Sequence, residues 1–308
     1  MTSRGSAPGR AARVDLNGLE PFWFRLPTMG DVMRSSVNAG LAAACSWLAA
    51  CGGRSTLQHE PPPDGCLIWQ DEFLLMEEGG LLVGVRPSAG FRRRPIGKPD
   101  CGGVESNTLA LSSAGDAYVA DTQGRLFRVD WQLECEPLLG PVDELTLFGG
   151  MSFVDDASGR ELIKYVHWID EQNFLGTIDP VVPDRDVGPA LEGSRYSTEL
   201  AGSRDGRLFA LNAGNVETER SFLELDAESG EILSEVAFGP GLGLSSLAAV
   251  RWENVVYGFL ANAMDQPSRV FRFDVELGTV QELSRFPTVA IGAGTSSCAA
   301  DLGLELPK

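Results

Sequence analysis

The side chains in this chain that recur in a setting fit for chemistry are carboxylates. Asp116, Asp155, Asp156, Asp205 and Glu253 each fall in or beside a short turn, as in Ser112-Ser-Ala-Gly-Asp116 or Ser203-Arg-Asp-Gly206. Gathered at one mouth of a closed ring, their oxygens could hold a hard cation such as Ca²⁺. As solvated acids in Gly-containing turns they only close the turn, and that plainer reading is the stronger one. Histidine occurs twice. His59 sits in a Pro-rich stretch and reads as a solvated linker residue. His167, within Tyr165-Val166-His167-Trp168, reads as a strand residue facing a neighbour or solvent. The sequence offers no His pair, Gly-x-Ser-x-Gly elbow or phosphate loop. Catalytic residues are therefore left unassigned, an enzyme is the less favoured reading, and no metal or cofactor is expected.

The elements that would carry these residues repeat. Phe222-Leu223-Glu224-Leu225-Asp226 is followed by Ala-Glu-Ser-Gly and by Glu231-Ile232-Leu233-Ser234-Glu235-Val236. This is a strand, a turn and a returning strand, with Phe222 and Glu224 on one face and Leu223 and Leu225 on the other. The strand-closing Asp recurs at Asp130, Asp179, Asp226 and Asp274, in steps of 49, 47 and 48 residues. These four are expected to accept turn hydrogen bonds. About four strands per unit at a fixed period near this length predicts the blades of a β-propeller. The expected fold is all-β, with five four-stranded blades. Cys66 to Ile96 supplies only three strands: Leu67 to Met76, Leu81 to Val85 and Arg92 to Ile96. The tail from Thr288 to Gly294 supplies a lone inner strand. Joined, they make one blade shared by both chain ends, which closes the ring and removes its edges. The propeller is expected over residues 66–300, with 301–308 as a tail.

The N-terminal part reads differently. Residues 1–32 are Arg-, Gly- and Pro-rich without periodicity, and are read as an over-extended start or disordered. Met33-Arg34 is a minimal basic region, and Val37 to Ala50 is an Ala/Leu-rich run too short for a membrane span and suited to a signal peptide over 33–50. The run ends in Leu48-Ala49-Ala50-Cys51-Gly52, which resembles the lipobox of bacterial lipoproteins. The resemblance implies that Cys51 is lipidated and becomes the mature N-terminus. With Gly52 following it, delivery to the outer membrane of the cell envelope is expected. Residues 51–65 then form the lipidated Cys and a tether, whose fourteen residues after Cys51 span on the order of 20 Å.

Of six cysteines, Cys45 leaves with the signal and Cys51 takes lipid. Cys66, Cys101, Cys135 and Cys298 remain. An even number in an exported protein suggests two disulfides with three possible pairings. Ring closure favours Cys66–Cys298, leaving Cys101–Cys135. A Cys₄ zinc site is the weaker alternative, since no Cys-x₂₋₄-Cys pair exists.

Gly124-Arg125-Leu126-Phe127-Arg128-Val129-Asp130, Gly206-Arg207-Leu208-Phe209-Ala210 and the ending Ile291-Gly292-Ala293-Gly294-Thr295-Ser296-Ser297-Cys298-Ala299 resemble a group of uncharacterised bacterial lipoproteins with a predicted β-propeller fold. The resemblance covers about residues 66–300. It implies fold and location, and carries no activity.

The net charge is −18. Without residues 1–51, which hold five Arg and three acidic residues, it is about −20. Such a surface repels phosphate backbones, so nucleic acid is not expected as a partner. The expected function is an exported, membrane-anchored monomer that acts as a binding or scaffold module. Its membrane contact is the N-terminal lipid, and a protein or glycan partner is held at a propeller face. Two alternatives stand beside it. One is a lactonase-like propeller hydrolase with a carboxylate- and Asn-held channel metal. The other is a structural envelope lipoprotein.

Overall fold

A computed structural model describes residues 71–103, 106–141, 147–169, 172–191, 197–214, 218–241, 245–262 and 267–296. The readings of the first 65 residues, of Cys51, Cys66 and Cys298, and of the 301–308 tail lie outside the described residues.

Among the described residues twenty strands form five antiparallel four-stranded sheets, and the protein is a five-bladed β-propeller. The first blade has β1 (Phe73–Glu77), β2 (Leu81–Arg86) and β3 (Arg92–Gly97); the second has β4 (Ser106–Leu111), β5 (Ala117–Asp121), β6 (Leu126–Val129) and β7 (Cys135–Leu139). The third has β8 (Leu147–Asp155), β9 (Glu161–Ile169), β10 (Gln172–Ile178) and the two-residue β11 (Arg185–Asp186). The fourth has β12 (Thr198–Gly202), β13 (Leu208–Asn212), β14 (Glu219–Leu225) and β15 (Ile232–Pro240). The fifth has β16 (Ser245–Trp252), β17 (Val255–Asn262), β18 (Arg269–Asp274) and β19 (Thr279–Arg285).

The last strand, β20 (Ala290–Gly294), pairs antiparallel with β1, placing Leu74 opposite Gly294 and Glu77 opposite Ala290. Both chain ends therefore build the first blade, as the sequence predicts. Its second strand starts at Phe73 rather than at Leu67, and among the described residues Asp71 and Glu72 stand before it. The Glu72 carboxylate just before it accepts from Arg94, with Nε and Nη2 at 3.0 and 2.7 Å, and from Arg86.

The core is divided among the blade junctions. Five hydrophobic clusters occur among the described residues, one per junction. Period two explains the division. In β1, Phe73 and Leu75 pack toward the fifth blade, and Leu74 and Met76 toward the second. In β14, Phe222 joins the cluster with the fifth blade, while Leu223 and Leu225 join the cluster with the third. The inner strands of each blade are buried on both faces and so read as near-continuous apolar runs, while outer strands such as β15 and β19 are largely exposed.

The inner strands crowd at the centre. A Cβ on Gly150 would lie 2.4 Å from the Glu199 Cα, and one on Gly294 would lie 2.7 Å from the Leu111 nitrogen. Only glycine allows such an approach of backbone to backbone. The strand-closing aspartates behave as expected. Asp130 accepts from the Gln132 and Glu134 amides, Asp179 from Val181 and Val182, Asp226 from Glu228 and Ser229, and Asp274 from Leu277. A disulfide joins Cys101 to Cys135, with Cα atoms 5.1 Å apart.

Candidate functional site: an acidic cleft between the third and fourth blades

The turns between first and second strands lie at one end of the inner strands, and neighbouring blades are tied there side chain to turn. The Ser113 amide and hydroxyl donate to Glu161 at 2.7 and 2.9 Å, joining the second blade to the third. Arg204 lies 3.6 Å from Asp155, joining fourth to third. Arg251 holds Asp205 through both guanidinium nitrogens, at 2.7 and 3.0 Å, joining fifth to fourth. Burial works to raise the Asp205 carboxyl, but hydrogen bonds from Arg251 and Ser203 outweigh it and leave it far below the usual range.

Between the third and fourth blades these turns frame a cleft of about 560 Å³. Its walls carry Asp155, Asp156, Asp205, Asp226 and Glu228 against Arg160, Lys164 and Arg204, five carboxylates to three cations. Most of the acids are fixed. Asp156 takes the Ser158 hydroxyl and the Ser158 and Arg160 amides, and the Ser158 hydroxyl leads in holding its carboxyl down at about 2. Asp226 is held low chiefly by the Ser229 amide and hydroxyl. The floor holds Lys164 of β9, which is 8% exposed and donates to Thr177 Oγ1 at 2.8 Å. Burial depresses its ammonium, and the charges of Glu228, Asp186, Asp226 and Asp156 oppose that without cancelling it. Preformed acceptors around an apolar lining of Val154, Leu162 and Ala227 suit a basic group carried on an aliphatic stem.

The five turn carboxylates thus separate. Asp155, Asp156 and Asp205 share the cleft. Asp116 is paired with Arg128 at 2.8 Å, and the Glu253 carboxyl is raised by burial alone. Among the described residues no group of three or more His, Cys, Asp or Glu side chains is placed to hold a metal ion. His167 is a buried strand residue between Tyr165 and Phe174, and burial, reinforced by the charge of Arg185, lowers its pKa.

One buried carboxyl escapes sequence reasoning. Glu199 of β12 is 4% exposed. It accepts from Thr108 Oγ1 of the second blade at 2.9 Å, and Thr108 in turn accepts from the Met151 amide of the third at 3.1 Å. The register of β8 against β9 breaks between Phe148 and Met151, at Gly149-Gly150, and the absent side chains let blades two and four meet over the third. Burial raises the Glu199 carboxyl well above its ordinary value despite the hydrogen bonds from Thr108 and Met151.

No protein-family model matches the chain, and no curated protein matches it. Among solved structures it is similar to a chain of the nidogen–laminin complex (14% identity, 72% of this chain and 84% of that one, TM-score 0.46). It is also similar to a protein of unknown function from Bacteroides caccae (10% identity, 73% and 98%, TM-score 0.43). A third similarity is to TolB from Acinetobacter baumannii (11% identity, 70% and 52%, TM-score 0.45). The propeller assignment rests on the chain's own strand pairing rather than on these likenesses.

Proposed function

We propose that the protein is a lipid-anchored propeller of the bacterial cell envelope, held by Cys51 at the outer membrane, that works as a binding or scaffold module. Its partner is a protein that inserts a Lys or Arg side chain into the cleft between the third and fourth blades. The observation that carries this reading is the cleft itself, where fixed carboxylates surround an apolar lining. Preorganised acceptors bind a cation without the cost of ordering them first. The anchor is supported by the apolar run and the Leu48-Ala49-Ala50-Cys51 motif. Two or more acyl chains, at about 0.8 kcal/mol per buried CH₂, make release negligible.

Cross-linking in intact cells followed by affinity capture tests the proposal. A partner captured by the wild type and lost in Glu228→Gln with Asp226→Asn supports it. Capture unchanged by that pair of substitutions refutes the cleft, and no partner at all favours a purely structural envelope lipoprotein. A Cys51→Ser variant that stays wholly in the membrane fraction refutes the anchor.

A further inference from the structure

Arg220 of β14 lies two residues before Phe222 and on the same face, toward the fifth blade. Its guanidinium carbon is 5.0 Å from the centroid of Phe238 and 5.1 Å from that of Phe271. The residue is 5% exposed, and its buried Nε and Nη1 have no hydrogen-bond partner among the described residues. Two π faces attract the cation. They leave its N–H donors unsatisfied, and buried charged donors without acceptors are costly. The chain also keeps room for this group: Gly239 has φ 132°, and a Cβ there would lie 2.7 Å from Nη2.

The facing strands add more positive charge. Arg269 of β18 stands directly opposite Arg285 of β19, and like charges so placed repel. A single carboxylate, Glu282, takes Arg269 through Nε at 3.0 Å and through Nη2. Glu282 is held low first by that hydrogen bonding, and then by the charges of Arg269, Arg220 and Arg285. The charges of three guanidinium groups therefore act on one carboxylate, which contacts Arg269, in a protein of net charge −18.

We infer that the junction of the fourth and fifth blades is a binding site for an oxyanion, the carboxylate or phosphate group of a small ligand. Arg220 is its buried donor, and Arg269 and Arg285 are its outer ones. A guanidinium fork matches either anion with two parallel N–H···O bonds. The exposed Arg285 marks the side of entry. Phe238 and Phe271 cover the faces of the Arg220 guanidinium and leave its edge, with Nε and Nη1, to the anion. The site is separate from the acidic cleft and opposite to it in charge.

Isothermal titration of the full chain with sodium phosphate, and separately with sodium acetate, reads the binding, with chloride holding ionic strength fixed. Saturable heat is expected from at least one anion, and which one binds separates a phosphate ligand from a carboxylate one. Arg285→Gln, on the exposed rim, should bind about tenfold more weakly. Arg220→Met should show no saturable binding. The inference is overturned if neither anion binds saturably, or if Arg285→Gln binds like the wild type. It is equally overturned if Arg220→Met folds and keeps wild-type affinity, and if that variant fails to fold, Arg285→Gln decides alone.

Discussion

Arg251 and Asp205 form a two-point ion pair between the fifth and fourth blades in which the two partners are unequally buried. The Arg251 side chain is 6% exposed and that of Asp205 is 47% exposed. The two deletions are therefore not equivalent. Asp205→Ala leaves a buried guanidinium with its bonds to Ser203 and the Glu253 carbonyl but without its counter-ion, and should cost about 3 kcal/mol, whereas Arg251→Met leaves a carboxylate that water can take up and should cost about 1 kcal/mol. Urea denaturation of both variants checks the order, and equal losses would contradict it.

The same pair sets an acid limit. The Asp205 carboxyl is held low in the folded protein, so its contribution is fully present above the ordinary Asp value of about 3.9. It is lost as pH falls from there through the depressed folded value. Asp205→Asn should show a shallower loss of melting temperature below pH 4 than the wild type.

Glu199 has the opposite sign. Its folded carboxyl titrates above the unfolded one, so its contribution is greatest below about pH 4.3 and falls as pH rises toward the folded value. Glu199→Gln keeps an acceptor for Thr108 and removes the proton. The variant should match the wild type near pH 4 and gain on it steadily above that. Parallel melting curves across pH 4–8 would show that Glu199 does not titrate between the two states.

Two glycines separate steric clash from backbone strain. Gly150→Ala drives a Cβ into the backbone of Glu199 and Leu200 and should cost about 3 kcal/mol or more. Gly159→Ala meets nothing within 4 Å and strains only a φ of 78°, costing about 1 kcal/mol. Thermal melting of the two proteins measures the difference.

Cys101 and Cys135 close a loop with a sequence separation of 34. Their joint replacement by Ser should lower stability by about 3 kcal/mol. Non-reducing peptide mapping should find this bridge and, as the sequence suggests, a second between Cys66 and Cys298; a Cys66–Cys101 or Cys66–Cys135 peptide would refute that pairing.

The ring was legible because it is periodic. Each blade repeats a hairpin closed by Asp130, Asp179, Asp226 or Asp274, and short-range pattern marks such units well. The incomplete first and last segments pointed to their own union. The sites were not legible, because each is assembled across a junction. Lys164 and Glu228 come from different blades, as do Arg220 and Arg269, and no spacing rule links them. Asp226 was readable as a turn residue but not as a wall of the cleft. Glu199 sits in an apolar strand where only the Gly149-Gly150 break, in another blade, makes room for its carboxyl. The carboxylates at the turns did stand out, yet three of the five share the cleft while Asp116 and Glu253 do not, since interblade geometry decides that grouping.

The pairing of β20 with β1 also has a mechanical meaning. The chain enters the described propeller at the Phe73 end of β1, a strand flanked on both sides by antiparallel neighbours, β20 and β2. A pull directed along β1 loads both hydrogen-bonded ladders at once, in shear rather than one rung at a time. Tension reaching the ring from its N-terminal side is thus shared between the first and last strands of the fold. The join that closes the circle is a join that two ladders hold.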